Sequence, residues 1–264
     1  MATNAVLPDF DTIVTEYERF AEPATAAFGA HGLRLLAAQP GERILDIAAG
    51  TGALAMRLLY AGAFVTATDL SPPMVARLRL RMAGHPGGTA QVENGEALSF
   101  EDASFDAAVS MFGIMLFPDF YAGLREMARV LRPGGRAVVG SWTGVTAPMR
   151  LLGDAADLAL PGRVPPAMPA GVDTLGTESG MIEALAQAGL TCGRAARVTL
   201  PWTSPPLPTL LADPDALFAH MPPVRSMSQD ERQQLYDAMR TLAAADPPRD
   251  FTSSAIIGLA FKPR

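Results

Sequence analysis

The residues best suited to ligand chemistry are two acids and two glycines at close spacing. Asp46 lies four residues before Gly50, Gly52 follows two residues later, and Asp69 lies seventeen residues beyond Gly52. Glycines let the backbone approach a ligand closely, and a helix that begins there adds a favourable dipole. An acid at the end of the next strand can accept both hydroxyl groups of a ribose. The pattern therefore predicts a site for a ribose-containing ligand.

Two other interpretations of this segment stay open. Gly50, Gly52 and Ala55 loosely match the glycine pattern of nicotinamide dinucleotide enzymes. Asp46 argues against that assignment, because an acid at the strand end suits a cationic amine and repels a pyrophosphate. In the second interpretation the role is structural: Asp46 caps a turn and the glycines only tighten it.

Further candidates lie among the aromatic and histidine side chains. Tyr17 and Phe20 stand at helical spacing near the start of the chain and are predicted to fold over the ligand, with ordinary core packing as the alternative. Phe112, together with Met115 and Phe117, predicts an apolar substrate wall, with ordinary core packing as the alternative. Trp142 ends a predicted strand, where open α/β sheets bind ligands, and is predicted to line the site. His220 is the best candidate for a catalytic base.

Composition excludes several classes of chemistry. The net charge of −6 and the lack of a dense basic block disfavour a nucleic-acid partner, and we expect Arg77, Arg79 and Arg81 to form a solvated helix face. The sole lysine is Lys262, so neither a phosphate-binding P-loop nor a Schiff-base lysine is expected. The single Cys192 and three scattered histidines give no metal-ligand spacing, which predicts no metal.

Nothing in the sequence indicates export or membrane insertion. Residues 1–11 lack the basic stretch followed by an apolar run that a signal peptide requires. The longest apolar stretch, 111–117, is far shorter than the roughly 20 residues that cross a bilayer. We therefore expect a cytoplasmic protein that acts on neither membranes nor nucleic acid.

The elements that must position these residues alternate between strands and helices. Strands are predicted at 43–47, 64–69, 89–93, 106–111 and 136–142, and helices at 53–60, 72–82 and 119–131. This alternation predicts an α/β fold with a parallel sheet and crossover helices. The Arg-Pro-Gly-Gly segment at 132–135 is predicted to be a turn between the last helix and the last strand.

The two ends of the chain differ in sequence pattern from the alternating strands and helices between them. Residues 1–40 are predicted to be a helical lid, and residues 41–264 the main domain. Residues 143–264 hold 15 of the 23 prolines, which predicts loop-rich insertions at about 143–176 and 203–247. Within this part, strands are predicted near 191–202 and 251–261, and a helix at 228–245.

Six short motifs follow one another between about residues 17 and 142. They are DIAAGTG at 46–52, TDLS at 68–71, NGEALSF at 94–100, SFDA at 104–107, FGIMLFPD at 112–119 and RVLRPGG at 129–135. Together they resemble the class I S-adenosylmethionine-dependent methyltransferases, in the branch that includes quinone-biosynthesis and small-molecule enzymes. The order of all six motifs is far more specific than any one of them.

The resemblance implies a fold and a reaction. The fold is a Rossmann-like, seven-stranded and mostly parallel sheet, in the strand order 3-2-1-4-5-7-6, with helical lid insertions. The reaction is transfer of a methyl group from S-adenosyl-L-methionine to O, N or C of a small, fairly apolar molecule. An alternative is a protein of the same fold that binds this cofactor but catalyses a non-methylating rearrangement or acts as a non-catalytic partner.

The resemblance also implies roles for individual residues. Its cofactor-binding positions are Asp46, Ala48, Gly50, Gly52, Asp69, Leu70, Met74, Asn94, Gly95, Glu96 and Met111. Asp46 would hold the methionine end of the cofactor and Asp69 the ribose, while Met111 would lie near the sulfonium. Asn94 departs from the family's usual Asp, although its carbonyl oxygen can still accept from an adenine amino group, and Glu96 is the alternative acceptor.

Overall fold

The protein is described by a computed structural model that covers residues 7–162, 168–245 and 250–264. Within these ranges the strands are β1 (Arg43–Ile47), β2 (Phe64–Asp69), β3 (Gly88–Val92), β4 (Phe105–Met111), β5 (Leu131–Trp142), β6 (Thr191–Pro201) and β7 (Thr252–Phe261). These seven described strands form one sheet in the order β3-β2-β1-β4-β5-β7-β6. Strands β1 to β5 are parallel, and β7 is antiparallel to both β5 and β6. The predicted fold class and strand order are confirmed.

Helices connect the strands and cover the sheet. They are α1 (Val14–Glu16), α2 (Glu22–Leu36), α3 (Ala53–Tyr60), α4 (Pro72–Met82), α5 (Phe120–Val130), α6 (Ala147–Ala159), α7 (Ala170–Leu175), α8 (Glu178–Gln187), α9 (Leu207–Ala212), α10 (Asp215–Phe218), α11 (Pro222–Arg225) and α12 (Gln229–Ala243). A π-helical turn, Tyr17–Ala21, joins α1 to α2. In the part of the chain that the structure describes, none of these helices has the length and apolar character needed to span a bilayer.

Alternate strand residues enter two cores on opposite faces of the sheet, as the two-residue period of a strand requires. Leu45 and Ile47 belong to the core that α5, α7 and α8 complete. Ile44 belongs to the core with residues of α3 and α4. Because both faces are covered, the carboxyl ends of the parallel strands remain as the natural place for a ligand.

Side-chain caps explain where several helices begin. The hydroxyl of Ser71 accepts the backbone N–H of Met74 at 3.4 Å at the start of α4. The carboxylate of Asp119 accepts the N–H of Ala122 at 2.9 Å at the start of α5. Ser228 and a glutamate form a capping box at α12. Each cap supplies an acceptor to a helix N–H that would otherwise lack one, so the predicted starts of these helices are confirmed to within a residue.

The turn predicted at 132–135 is wrong, because this segment belongs to β5, which begins at Leu131. The N–H of Gly134 donates to the carbonyl of Lys262 at 2.9 Å, and the N–H of Lys262 donates to the carbonyl of Gly135 at 2.8 Å. Pairing with the end of the chain therefore absorbs the glycines into the strand, with a register shift against β4. Such a distant partner leaves no local signal in the sequence.

The prediction of loop-rich insertions in residues 143–264 is also wrong for the described part of that region. It contains α6 to α12, and α6 and α12 share a third core that includes Leu151, Phe218 and Leu235. Prolines such as Pro148 stand in the first turn of a helix, where a missing N–H costs nothing, so they begin helices instead of marking loops. The parts of the predicted insertions and lid at 1–6, 163–167 and 246–247 lie outside the described residues.

Candidate active site

A cavity of about 1190 Å³ opens at the carboxyl edge of the parallel strands. Its lining includes Asp69, Met111 and Trp142, from the ends of β2, β4 and β5, together with Tyr17 from the π-helical turn and residues of α6. Ligand pockets commonly measure about 300–1,000 Å³. The cavity is therefore large enough for two ligands side by side.

The loop between β1 and α3 needs its glycines. Gly50 and Gly52 have φ angles of 58° and 96°, and Ala48 shares this left-handed conformation with a φ of 56°. A Cβ atom on Gly50 would lie 2.9 Å from the hydroxyl of Tyr17, and one on Gly52 would clash with a methyl group of Leu78. Ala48 and Gly50 line the cavity, whereas Gly52 stands at the start of α3 and shapes the loop.

The carboxylate of Asp69 is fixed by backbone amides at the edge of the cavity. Its Oδ2 accepts the N–H of Gly50 at 2.8 Å, and its Oδ1 accepts the N–H of Ser71 at 3.0 Å. Burial raises the pKa of Asp69, while these amides oppose the rise. Each carboxylate oxygen keeps a further lone pair, so Asp69 can still accept hydroxyl groups from a ligand.

Asp46 is buried beside the same loop, with 2% of its surface exposed. Burial, and then repulsion from Asp69, raises its pKa to about 8, although a backbone N–H from Ala55 acts in the opposite direction. Its Oδ2 has no hydrogen-bond partner among the described residues. Asp46 lines a separate cavity of about 20 Å³, next to Tyr17 and Met111, and Met111 lines both cavities. A buried carboxylate oxygen without a donor fits a cationic amine.

The π-helical turn Tyr17–Ala21 separates the two aromatic residues predicted to contact substrate. Tyr17 lines the large cavity and touches the loop at Gly50. Phe20 does not line it: the ring is 4% exposed, in the protein core, with the guanidinium of Arg19 4.7 Å from its centre. The wider turn of a π-helix sends residues three apart in different directions. For Phe20 the structure shows the alternative, core packing.

Sequence reasoning missed an ionic cluster that ties the N-terminal helix to the glycine loop. The guanidinium of Arg81 on α4 donates to both carboxylate oxygens of Glu22, at 2.6 and 2.8 Å. It also donates to the carbonyl of Thr51 at 3.2 Å, and the hydroxyl of Thr51 donates to Glu22. One side chain thus joins α2, α4 and the loop.

A second acid extends this cluster. Glu18, in the π-helical turn, pairs with Arg77 at 2.7 Å and with Arg81 at 2.8 Å. Arg79 instead donates to the carbonyl of Ala90 at 3.1 Å. The expectation of a purely solvated arginine face is therefore wrong. A signal was present in the sequence, because the two acids and their two arginine partners each stand four residues apart, on one face of a helix.

Five more of the predicted cofactor residues line the large cavity near Asp69. Leu70 and Met74 follow β2, and Asn94, Gly95 and Glu96 lie in the loop after β3. Leu70 is 68% exposed. The side-chain oxygen Oδ1 of Asn94 accepts the backbone N–H of Glu96 at 3.0 Å, and the carboxylate of Glu96 accepts the backbone N–H of Asp119 at 2.5 Å. Asn94 and Glu96, the two residues predicted to accept a hydrogen bond from the adenine amino group, thus also hold this loop in place.

Beyond the strand ends the cavity has an aromatic wall. Phe112, with a strained φ of 68°, stacks on Trp142 at a centroid distance of 3.9 Å. Phe28 meets Trp142 edge-on at 5.0 Å, and Trp202 lies 6.2 Å from it. The structure thus brings Phe112 and Trp142 together as predicted. Trp202 was missed, because it follows β6, whose neighbours in the sheet cannot be read from the local sequence.

His220 lies between α10 and α11 and lines the same cavity as Phe112 and Trp142. The predicted base and the predicted substrate wall are therefore brought to one cavity, although about eighty residues separate Trp142 from His220 in the sequence. Its catalytic role stays a prediction.

Comparisons with known proteins point to one family. Residues 45–139 match the family model described as "Methyltransferase domain". An uncharacterized protein of Mycobacterium tuberculosis is 39% identical over 130 residues, which cover 48% of this chain and 47% of that protein. A demethylmenaquinone methyltransferase of Corynebacterium efficiens is 40% identical over 111 residues, which cover 42% of this chain and 46% of that enzyme. The matched region spans a little under half the length of these relatives.

The fold recurs among solved structures. The Haemonchus contortus phosphoethanolamine N-methyltransferase 2, in complex with S-adenosyl-L-methionine, aligns with a TM-score of 0.60 over 96% of this chain and 57% of that chain. At 18% identity this likeness concerns the fold alone. Residues 45–139 therefore match the methyltransferase domain family, and the strand order of the sheet agrees with the resemblance to the class I S-adenosylmethionine-dependent methyltransferases.

Proposed function

We propose that the protein transfers the methyl group of S-adenosyl-L-methionine to O, N or C of a small, apolar acceptor. The observation that carries this proposal is a single cavity with two different ends. One end holds Asp69 and the glycine loop. The other, here called the acceptor chamber, is lined by Trp142, Trp202, residues of α6, and Leu217, His220, Met221, Val224, Ser226 and Met227. Donor and acceptor must meet within one water-poor space for transfer to occur.

The residues around β1 and β2 fit this cofactor. Asp46 offers a buried carboxylate oxygen without a donor and would bind the amine at the methionine end. Asp69, held by the amide of Gly50, would accept the ribose hydroxyl groups. Leu70 and Met74 would cover the adenine. When bound, this cofactor supplies a methyl group on a positively charged sulfur that is its own leaving group.

The chain's own task is then to orient the acceptor and exclude water. Phe112 and Trp142 form a fixed surface at the end of β4 and β5, against which the acceptor would lie. His220 lines the chamber and would take the proton of an acceptor whose O–H or N–H is only weakly acidic. An acceptor that is already deprotonated would need no base.

A calorimetric titration tests the cofactor assignment. We expect S-adenosylhomocysteine to bind and NAD⁺ not to bind, because Asp46 and Asp69 suit an amine and a ribose but repel a pyrophosphate. Binding of NAD⁺ with no response to S-adenosylhomocysteine would contradict the proposal.

The mass of the product tests the reaction. With trideuteromethyl-labelled cofactor, a methylated acceptor gains the labelled methyl group. A product with the same mass as its substrate would instead indicate a non-methylating rearrangement on the same fold. The region that matches the family, residues 45–139, ends before α6. The residues of the acceptor chamber therefore lie outside the region that matches the family.

A further inference from the structure

Two glycines, Gly32 in α2 and Gly140 in β5, stand inside elements that glycine normally weakens. Neither has a positive φ, so alanine could adopt the same backbone conformation at both positions. A side chain would lack room there. A Cβ atom on Gly32 would lie 2.9 Å from the sulfur of Met111. A Cβ atom on Gly140 would lie 2.7 Å from the same sulfur and would clash with the terminal methyl group. Both glycines therefore make space for one thioether.

Met111 fills this space because of the way β4 pairs with β5. Met111 and Gly140 are direct neighbours in the parallel register, so side chains at these positions would project from the same face of the sheet. Because Gly140 carries none, the thioether of Met111 lies across the neighbouring strand, between β5 and Gly32 of α2. Val138, two residues earlier on the same face of β5, bounds this space, with its Cγ1 atom 3.2 Å from a Cβ position on Gly32. We call this space the thioether slot.

The position of the thioether matters because Met111 lines both cavities of the site. Asp69 lines the large cavity, whereas Asp46 lines the small one. A cofactor whose ribose binds Asp69 must therefore pass Met111 to bring its amine to Asp46. Neither of the two glycines is among the described residues that line these cavities. A substitution at either glycine thus reaches the cofactor only through a neighbouring side chain.

A methyl group at Gly32 or Gly140 would push the thioether toward the cavities. The end of a flexible methionine side chain moves more easily than a packed helix or strand. The thioether slot is bounded by α2 on one side and by β5 on the other, so the open direction is the space that Met111 already lines. A thioether displaced into that space would stand between Asp69 and Asp46.

We propose that Gly32 and Gly140 are positioning residues for the cofactor. They hold the Met111 side chain in the thioether slot, outside the path between Asp69 and Asp46, so that the amine of the cofactor can reach its carboxylate. This inference rests on the proposed function, in that Asp46 is taken to bind that amine. If the native protein does not bind S-adenosylhomocysteine, both fail, whereas native binding that neither glycine substitution weakens refutes this inference alone.

Calorimetry with S-adenosylhomocysteine tests the thioether slot. Gly140→Ala and Gly32→Ala should each weaken binding about tenfold or more. Met111→Ala removes the thioether, so adding either glycine substitution to Met111→Ala should cost no further affinity, whatever Met111→Ala itself does. If Gly140→Ala does not fold, Gly32→Ala keeps the test, because alanine favours a helix. Equal losses with and without the thioether, or no loss in the folded variants, would overturn the inference.

Gly258→Ala is the matched control. Gly258 lies in β7, and a Cβ atom there would lie 2.9 Å from the Cγ atom of Met181, a buried methionine of α8. Met181 is not among the described residues that line either cavity. The substitution therefore crowds a methionine from a strand without reaching the site, and it should lower stability but leave binding of S-adenosylhomocysteine unchanged. If Gly258→Ala weakens binding as much as Gly140→Ala, crowding of the sheet explains the loss and the inference is wrong.

The methyl resonance of Met111 reports the position of the side chain itself. In protein with isotope-labelled methionine methyl groups, the nuclear magnetic resonance signal that disappears in Met111→Ala is that of Met111. We expect this signal to shift in Gly32→Ala and in Gly140→Ala, and to stay in place in Gly258→Ala. If it stays in place in the first two variants as well, the glycines do not position the thioether.

Discussion

The carboxyl group of Asp46 is buried beside a second acid, and this location changes its protonation. Burial and the nearby Asp69 raise its pKa to about 8, so near neutral pH the carboxyl group is largely protonated. It must ionise to bind an amine, and binding therefore releases a proton. Between about pH 6 and pH 7.5 we expect the affinity for S-adenosylhomocysteine to rise by up to tenfold per pH unit. Calorimetry across this range would measure it, and a flat profile would contradict the assigned role.

The variant Asp46→Asn is expected to bind the ligand more weakly and yet to be more stable than the native chain. Because the folded pKa lies above the usual value of 3.8, the native state retains a proton that the unfolded chain has released, so stability falls as the pH rises from about 4 to about 8. The neutral Asn avoids this cost. We expect the variant to gain stability over the native chain between about pH 5 and pH 8 in denaturant unfolding, while it binds S-adenosylhomocysteine more weakly. If the two proteins differ in unfolding free energy by the same amount at about pH 5 and about pH 8, the prediction is wrong.

Asp69 is expected to contribute to binding directly. Asp69→Ala should weaken binding of S-adenosylhomocysteine by roughly 1–3 kcal/mol, because a charged acceptor of two hydroxyl groups is lost. Calorimetry measures the loss, and circular dichroism checks that the variant folds. Asp173→Ala, an exposed acid on α7 outside the cavity, is the control. An unchanged dissociation constant in a folded Asp69→Ala protein would show that the ribose lies elsewhere.

At the scale of elements, the sequence predicted the parallel half of the sheet well. There each strand is a short apolar run and each following helix carries its own start signal, such as Ser71 or Asp119. The start of β5 was missed because Gly134 pairs with Lys262, which is distant in the chain. The helices after β5 were missed because prolines serve both to begin helices and to mark loops. Local patterns specify local structure and leave distant pairing undetermined.

The ionic cluster around Arg81 leads to a prediction about the N-terminal helix. Arg81→Ala removes both bonds to Glu22 and the bond to Thr51, and these groups are partly buried. We expect a loss of roughly 1–3 kcal/mol in unfolding free energy, faster hydrogen exchange in residues 14–22, and weaker binding of S-adenosylhomocysteine. The binding effect follows because Tyr17 is then no longer held against the glycine loop.

Arg77→Ala is the matched control for this prediction. Arg77 stands one turn earlier on α4 and pairs with Glu18 through a more exposed side chain. Its removal should have a much smaller effect on stability and none on cofactor affinity, because it does not touch the loop. If the two variants behave alike, the cluster is an ordinary surface feature and does not position the loop.

At the scale of the whole molecule, the site is assembled from parts that are far apart in the chain. The predicted cofactor end comes from residues 46–96: Asp69 and Asn94 line the large cavity, and Asp46 lines the small one, which shares Tyr17 and Met111 with it. The acceptor chamber draws on residues of α6, Trp202 and residues between 217 and 227. Their meeting depends on the order of β5, β7 and β6, which composition and periodicity do not determine.

This assembly leads to a prediction about motion. The cavity is lined on one side by residues 7–21 and on another by α10 to α12, here called the lid segments, and α10 and α11 are only four residues long each. Short helices open easily, and a lid must open to admit an acceptor. We expect hydrogen exchange in both lid segments of the free protein to be faster than in α2 and in the strands of the sheet. Exchange should slow when S-adenosylhomocysteine and an acceptor are bound together, whereas α2, held by Arg81, should change little.

His220 lies inside the second lid segment, so closure would carry it toward the acceptor. His220→Ala should then lower turnover and leave the dissociation constant of S-adenosylhomocysteine unchanged, since the imidazole acts on the acceptor and not on the cofactor end. Unchanged turnover in a variant whose lid still closes would mean that positioning alone carries the reaction. If hydrogen exchange in both lid segments does not change when the ligands bind, the prediction of lid closure is wrong. The acceptor must then bind at the ends of β4 and β5, where Phe112 and Trp142 already form a fixed surface.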